Sequence, residues 1–202
     1  MLLTDSYLTM SAAFRWLPVI LTFLVGASAV PERVSAQAMD VPVTTQLSLF
    51  LKVMTFDRNL EKRAGEKLVL AVAFQSDNRT SSRARTDVVA ALSGITRVGT
   101  LDFEVIGIDL DRQDLGTELR DHKVAFLYVT PLRAMDLDEL IHAARAAGVS
   151  TITGVPGYVE EGLSVGVRLQ ADRPRLMINL EASKLEGADY KAELLKLAQL
   201  IP

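Results

Sequence analysis

The sequence predicts an α/β fold: a single three-layer α/β/α sandwich with a mostly parallel sheet, completed by a C-terminal β-hairpin and a terminal helix. Three observations predict it. Short continuous apolar runs recur along the chain, with "KLVLAVAF" (67–74) and "KVAFLYVT" (123–130) the clearest. Strands covered by helices on both faces have this composition. Between them, apolar residues recur three and four apart, as amphipathic helices require. Near the C-terminus the period changes to strict alternation, the mark of a hairpin.

The elements follow in order. "TQLSLFLKVMTF" (45–56) places Leu47, Phe50, Leu51 and Met54 on one helical face. Strand 67–74 is followed by polar "QSDNRTSSRART" (75–86), which leads into a helix carrying Val88, Val89, Ala91 and Leu92. "FEVIGIDL" (103–110) is a strand, and "RQDLGTELRD" (112–121) a short helix or turn. Strand 123–130 stops at Pro131. Asp136 and Glu139 have capping-box spacing. The helix they open carries Leu137, Leu140, Ile141 and Ala144, and Gly148 suits its left-handed C-terminus. "VSTITG" (149–154) is the last parallel strand, with Gly154, Pro156 and Gly157 ending it and turning the chain. "LSVGVRLQ" (163–170) and "RLMINL" (175–180) alternate on either side of the turn residues "ADRP" (171–174), giving a hairpin. Residues 181–187 form a short helical turn ended by Gly187. "ADYKAELLKLAQLI" (188–201) sets Tyr190, Leu194, Leu197, Ala198 and Ile201 on the stripe of a terminal helix.

Ahead of this domain, Arg15 precedes the apolar run "WLPVILTFLVGASAV", followed by "PERVSAQA" ending in Ala36-Gln37-Ala38. A basic residue, a short apolar stretch and a small-x-small site make a secretory signal peptide. Residues 1–38 are therefore expected to be removed on export, leaving a 39–202 domain in the periplasm. Ala27-Ser28-Ala29 is a second candidate cleavage site and Met10 a second candidate start. The apolar run, Trp16–Val30, is shorter than the ~20 residues that span a bilayer. The chain has no Cys, which rules out disulfides, a thiolate nucleophile and a lipid-anchored cysteine. Net charge is −3 with both signs interspersed, unlike the clustered basic face that nucleic acid selects.

Gly162-Leu163-Ser164-Val165-Gly166 matches G-x-S-x-G, the nucleophile elbow of serine hydrolases. An elbow needs strand, sharp turn and helix, with a histidine later in the chain. Ser164 instead begins an alternating strand, and His122 and His142 both precede it. The match reads as chance, Ser164 as expendable, and no catalytic residue is assigned. Asp109 with Asp111, and Asp136 with Asp138, read as a turn and a helix start rather than a cation site, so no metal or cofactor is expected. The one anion-site candidate is "DNRTSSRAR", where a parallel strand gives way to a helix, the place where open α/β sheets bind ligands. The candidate ligand-binding residues are Arg79, Ser81 and Arg83 there, with Thr130, Gly154, Tyr158 and Glu160 at other strand ends and loops.

The C-terminal stretch "GYVEEGLSVGVRLQADRPRLMINLEASKLEGADYKAELLKLAQLI" resembles the YfiR-like family of exported bacterial proteins. Gly162, the hairpin with its polar turn, Ile178-Asn179-Leu180, Glu186-Gly187 and Leu194–Ala198 carry the likeness. "QLSLFLKVMTF" and "VAFLYV" extend it over roughly residues 43–201. The resemblance implies half of a periplasmic-binding-protein-like fold. It further implies a non-enzymatic periplasmic regulator or sensor that holds a membrane partner, a diguanylate cyclase or sensor kinase, in check. Such control ties the envelope to cyclic-di-GMP and biofilm formation, and the family's best-known branch acts as a homodimer. Two features depart from that branch. Its cysteine pairs are absent, and Phe56-Asp57-Arg58 stands where an aromatic-Pro pair often closes the first helix. The first helix or the hairpin edge is the expected contact surface. A small module binding an anionic or organic ligand is the alternative.

Overall fold

The computed structural model describes residues 39–133 and 137–202; the expected signal peptide and the Asp136 cap lie outside the described residues. The elements are α1 (Val43–Thr55), α2 (Leu60–Ala64), β1 (Lys67–Phe74), α3 (Arg79–Leu92), β2 (Arg97–Val98), β3 (Leu101–Asp109), α4 (Leu115–Asp121) and β4 (Phe126–Val129). Then come α5 (Leu137–Ala147), β5 (Ser150–Thr153), α6 (Pro156–Glu160), β6 (Val165–Gln170), β7 (Arg173–Asn179), α7 (Leu180–Leu185), α8 (Ala192–Leu197) and β8 (Gln199–Ile201).

The strands form one eight-stranded sheet in the order β2-β3-β1-β4-β5-β6-β7-β8. Strand β1 pairs in parallel with β3 on one side and β4 on the other. Alternate residues of the central strands enter opposite layers, because successive side chains leave a strand on opposite faces. Leu68, Leu70, Val72, Phe126 and Tyr128 pack with Leu47, Phe50 and Met54 of α1 and Val88 of α3. Val69, Ala71, Ala73, Leu127 and Val129 pack with Leu119 of α4, Leu140 and Ala144 of α5, and Tyr158 of α6. The three-layer arrangement and the mostly parallel sheet are as expected.

The hairpin is present, and its turn is tighter than "ADRP". Only Ala171 and Asp172 connect β6 to β7, both with positive φ (48° and 59°). Two consecutive left-handed residues match the twist of the flanking strands. Strand β5 is not the last parallel strand, since it pairs in parallel with β6 through Ile152–Val165 and Thr153–Gly166. Pro156 opens α6 at its first position, where a missing N–H costs nothing.

The expected terminal helix is the main correction. Helix α8 covers only Ala192–Leu197, and Gln199–Ile201 then pair in parallel with Met177–Asn179 of β7. The outer edge of β7 offers unpaired backbone groups, and three residues of chain satisfy part of it. Pro202 biases Ile201 away from the helical region. Leu197 of the supposed buried stripe is 68% exposed. Among the described residues, no helix is long and apolar enough to cross a membrane.

Candidate functional site

The direction of winding reverses at β1. The chain passes from β1 to β3 on one side, then recrosses to β4 on the other. Ligand sites of open α/β sheets form at the carboxyl ends of such a strand pair. Here the β1–α3 loop meets the segment after β4, and the two are laced together. The Gln75 amide donates to the Arg133 carbonyl (3.1 Å) and accepts from the Arg133 N–H (2.7 Å). Asn78 caps α3 by accepting from Thr80 N–H (3.1 Å) and reaches the Pro131 carbonyl (3.4 Å).

The sequence-predicted residues divide at this point. Ser81 and Thr130 come together, fully buried, with their hydroxyl oxygens 2.6 Å apart. Thr130 donates to the Ala73 carbonyl (2.9 Å), and Ser81 accepts from Gln75 N–H (2.9 Å), so this chain of bonds ties α3 to β1 and β4. Buried Tyr158 accepts from Leu132 N–H (2.9 Å), and burial raises its phenol pKa. Gly154 lies against the Gln46 side chain, which would collide with any added Cβ. Gln46 is itself buried, donating to the Val41 carbonyl (2.6 Å) and accepting from the Tyr128 hydroxyl (2.7 Å). Arg79 and Arg83 are exposed one turn apart on α3. Glu160 is exposed on α6, 3.9 Å from Arg168 of the hairpin. The structure thus gathers Ser81 and Thr130, sets Tyr158 against the same loop, and leaves Glu160 beside the hairpin.

Asp109 and Asp111 organise the neighbouring turn. Asp109 accepts from Ser76 N–H (3.1 Å) and Asp111 N–H (3.2 Å), and Asp111 accepts from Asp77 N–H (2.9 Å). Burial pushes the Asp109 pKa up, but the bonds from Ser76 and Asp111 and the Arg112 charge hold it below its ordinary range. Among the described residues, no group of three His, Cys, Asp or Glu could hold a metal.

Ser164 is not expendable in the structural sense. It is fully buried, and its hydroxyl donates to the Glu186 carboxylate. Glu186 also accepts from the Thr151 N–H and hydroxyl, each at 2.8 Å, and the Thr151 hydroxyl accepts from Ser164 N–H (2.8 Å). Burial raises the Glu186 pKa to about 7 against the pull of these donors. Nothing here resembles an elbow. The flanking glycines serve the backbone: Gly162 has φ 120°, and a Cβ on Gly166 would strike Val159 of α6. His142 is exposed, and His122 sits 3.3 Å from Glu118, also in solvent.

Sequence reasoning missed two buried ionic groups. Glu186 is one. The other is Asp57, whose side chain is fully buried and pairs with Arg63 at 2.5 Å. Asp57 also accepts from Asn59 and Asp189 N–H groups, both at 2.9 Å, fastening the chain after α1 to the segment before α8. The only local signal was the unusual Phe56-Asp57-Arg58 after the first helix.

A family model described as YfiR/HmsC-like matches residues 59–199. The chain belongs to the YfiR/HmsC-like family. Members of this family are periplasmic regulators of signalling rather than catalysts. No curated protein matches the chain's sequence. Solved structures share its fold at low identity. The ABC domain of Streptococcus pneumoniae in complex with L-Trp is 13% identical with a TM-score of 0.56, and the match covers 80% of this chain and 60% of that one. A conserved domain protein of Vibrio cholerae is 12% identical with a TM-score of 0.58, over the same shares. The ligand-free, open form of a substrate-binding protein with adhesive properties from Clostridium difficile is 14% identical with a TM-score of 0.52, over 71% and 57%. This YfiR/HmsC-like chain therefore spans about 60% of the length of those structures. At these identities the likeness is one of fold alone, a fold shared with a substrate-binding protein among others.

Proposed function

We propose that this protein is a non-enzymatic periplasmic regulator, controlling a membrane signalling partner of the diguanylate-cyclase or sensor-kinase type through protein contacts. Membership of the YfiR/HmsC-like family over residues 59–199 carries the reading. The loops at the carboxyl ends of the strands support it, because they bond to each other: Gln75 to Arg133 and Ser81 to Thr130. Two surfaces are free for contacts. The outer half of the hairpin extends past β8, with Arg173 and Arg175 exposed and Leu169 42% exposed. The outward side of α1 presents Ser48, Lys52 and Thr55. Photo-crosslinking residues placed at Arg173 and at Lys52 in living cells test this. An adduct with an inner-membrane signalling protein is expected from at least one position. Adducts from neither would count heavily against the reading.

A ligand-binding module is the second reading. Arg79 and Arg83, exposed together at the head of α3, favour it. Under it these arginines contact an anionic or organic ligand, while Ser81, Thr130, Gly154 and Tyr158 frame the crevice and Glu160 lies at its rim. A thermal-shift screen of envelope metabolites decides, since a ligand at 100 times its Kd adds ~2.7 kcal/mol of stability.

A further inference from the structure

A second cleft lies at the opposite end of the sheet, where the strands begin. Its volume is about 590 Å³, within the range of small-molecule sites. Four cationic residues line it, Lys62, Arg63, Arg120 and Lys123, and no carboxylate does. Leu119 and Val124 give it an apolar part. The carboxyl ends of α4 and α5 converge here, and helix carboxyl ends attract cations by their dipoles. That attraction alone would account for one or two basic residues.

Arg63 already serves it. One of its amino groups donates to the Ala125 carbonyl (3.0 Å) and the Gly148 carbonyl (3.2 Å), and the other pairs with Asp57. Its guanidinium also stacks over Phe126 at 5.0 Å. Arg120 turns back along α4 toward the Thr117 hydroxyl (3.5 Å). Lys62 and Lys123 are different. Both are exposed, and neither forms an ion pair among the described residues. They add two positive charges to a cleft whose carbonyls are already served from within. Lys123 also holds φ at 50° just after α4, where glycine relaxes the backbone.

We propose that this cleft binds a small ligand carrying a compact oxyanion, phosphate or carboxylate, on an apolar body, with Lys62 and Lys123 as the anion-contacting residues. The site is independent of the regulator reading and distinct from the crevice near Arg79. Phenyl phosphate is the probe, titrated at fixed ionic strength into the ¹⁵N-labelled domain. Saturable shifts of the Lys62, Lys123 and Gly148 amides are expected. Lys62→Gln and Lys123→Gln should each weaken binding about tenfold, the scale of one charge-assisted hydrogen bond. Lys123→Gly supplies the decisive contrast: it should raise Tm by relaxing the backbone while weakening binding as Lys123→Gln does. Arg79→Gln should leave binding unchanged. Absence of saturation, wild-type affinity in the Lys123 variants, or shifts centred on Arg79 and Arg83 would overturn the proposal.

Discussion

Replacing Glu186 by Gln should make the protein less sensitive to pH. Glu186 is fully buried and its pKa is raised from 4.5 to about 7. The folded state therefore holds a proton that the unfolded chain releases between those values. Where the folded state binds more protons, stability falls as pH rises. The favourable contribution is complete below about pH 4.5 and is lost as pH climbs through 7. At 1.36 kcal/mol per unit, the span corresponds to roughly 3 kcal/mol. Glutamine keeps an oxygen for the Thr151 N–H and the Ser164 hydroxyl, which share one acceptor, and turns its amide to the Thr151 hydroxyl oxygen, but cannot ionise. Urea unfolding of both proteins from pH 5 to pH 8.5 measures the difference, which cancels every other titrating group. The Gln variant should be close to wild type at pH 5 and more stable by up to ~3 kcal/mol above pH 7.5. A difference that stays constant across this range would refute the reasoning.

Asp57→Asn should cost about 3–5 kcal/mol in denaturant unfolding, because Arg63 is left buried without its counter-charge. Ser164→Ala should cost roughly 1–3 kcal/mol at pH 8 and move the Glu186 titration upward, since the carboxylate loses a donor; ¹³C NMR of the carboxyl follows it. Gly154→Ala should destabilise by about 1–3 kcal/mol, and the Gly154→Ala/Gln46→Ala pair by less than the sum, because both act on one contact. Ala171→Asn with Asp172→Gly should raise Tm by a stabilisation of about 1 kcal/mol, since both turn positions hold positive φ.

Most of the sandwich was legible because its signals are local. Strand Lys67–Phe74 lies where the apolar run stands, and α1, α5 and the hairpin fall within a few residues of their periodic patterns. The short pieces were not legible: α2, β2 and α6 cover five, two and five residues, too few for a period to register. For the candidate residues, the position in the fold was legible but the partners were not. The polar residues at the head of α3 do sit at the winding reversal. That Ser81 and Thr130 satisfy each other could not be read from two hydroxyls 49 positions apart.

The sequence by itself determined the layer architecture, the hairpin and the family likeness, because burial on two faces, burial on one, and tight turns each leave a periodic trace. It also spoke against a nucleophile's role for Ser164, through the alternating strand that follows it and the order of the histidines. Only the tertiary structure decided what replaces that role. Glu186, 22 residues on, meets Ser164 because α7 carries the chain back beneath β5 and β6. Asp57 finds one of its donors 132 residues away at Asp189. Whether the last residues form a helix or a strand was settled by an unpaired edge of β7, a property of the assembled sheet and of no segment within it. Charges and hydroxyls carry no period, so their partners exist only once the chain has folded.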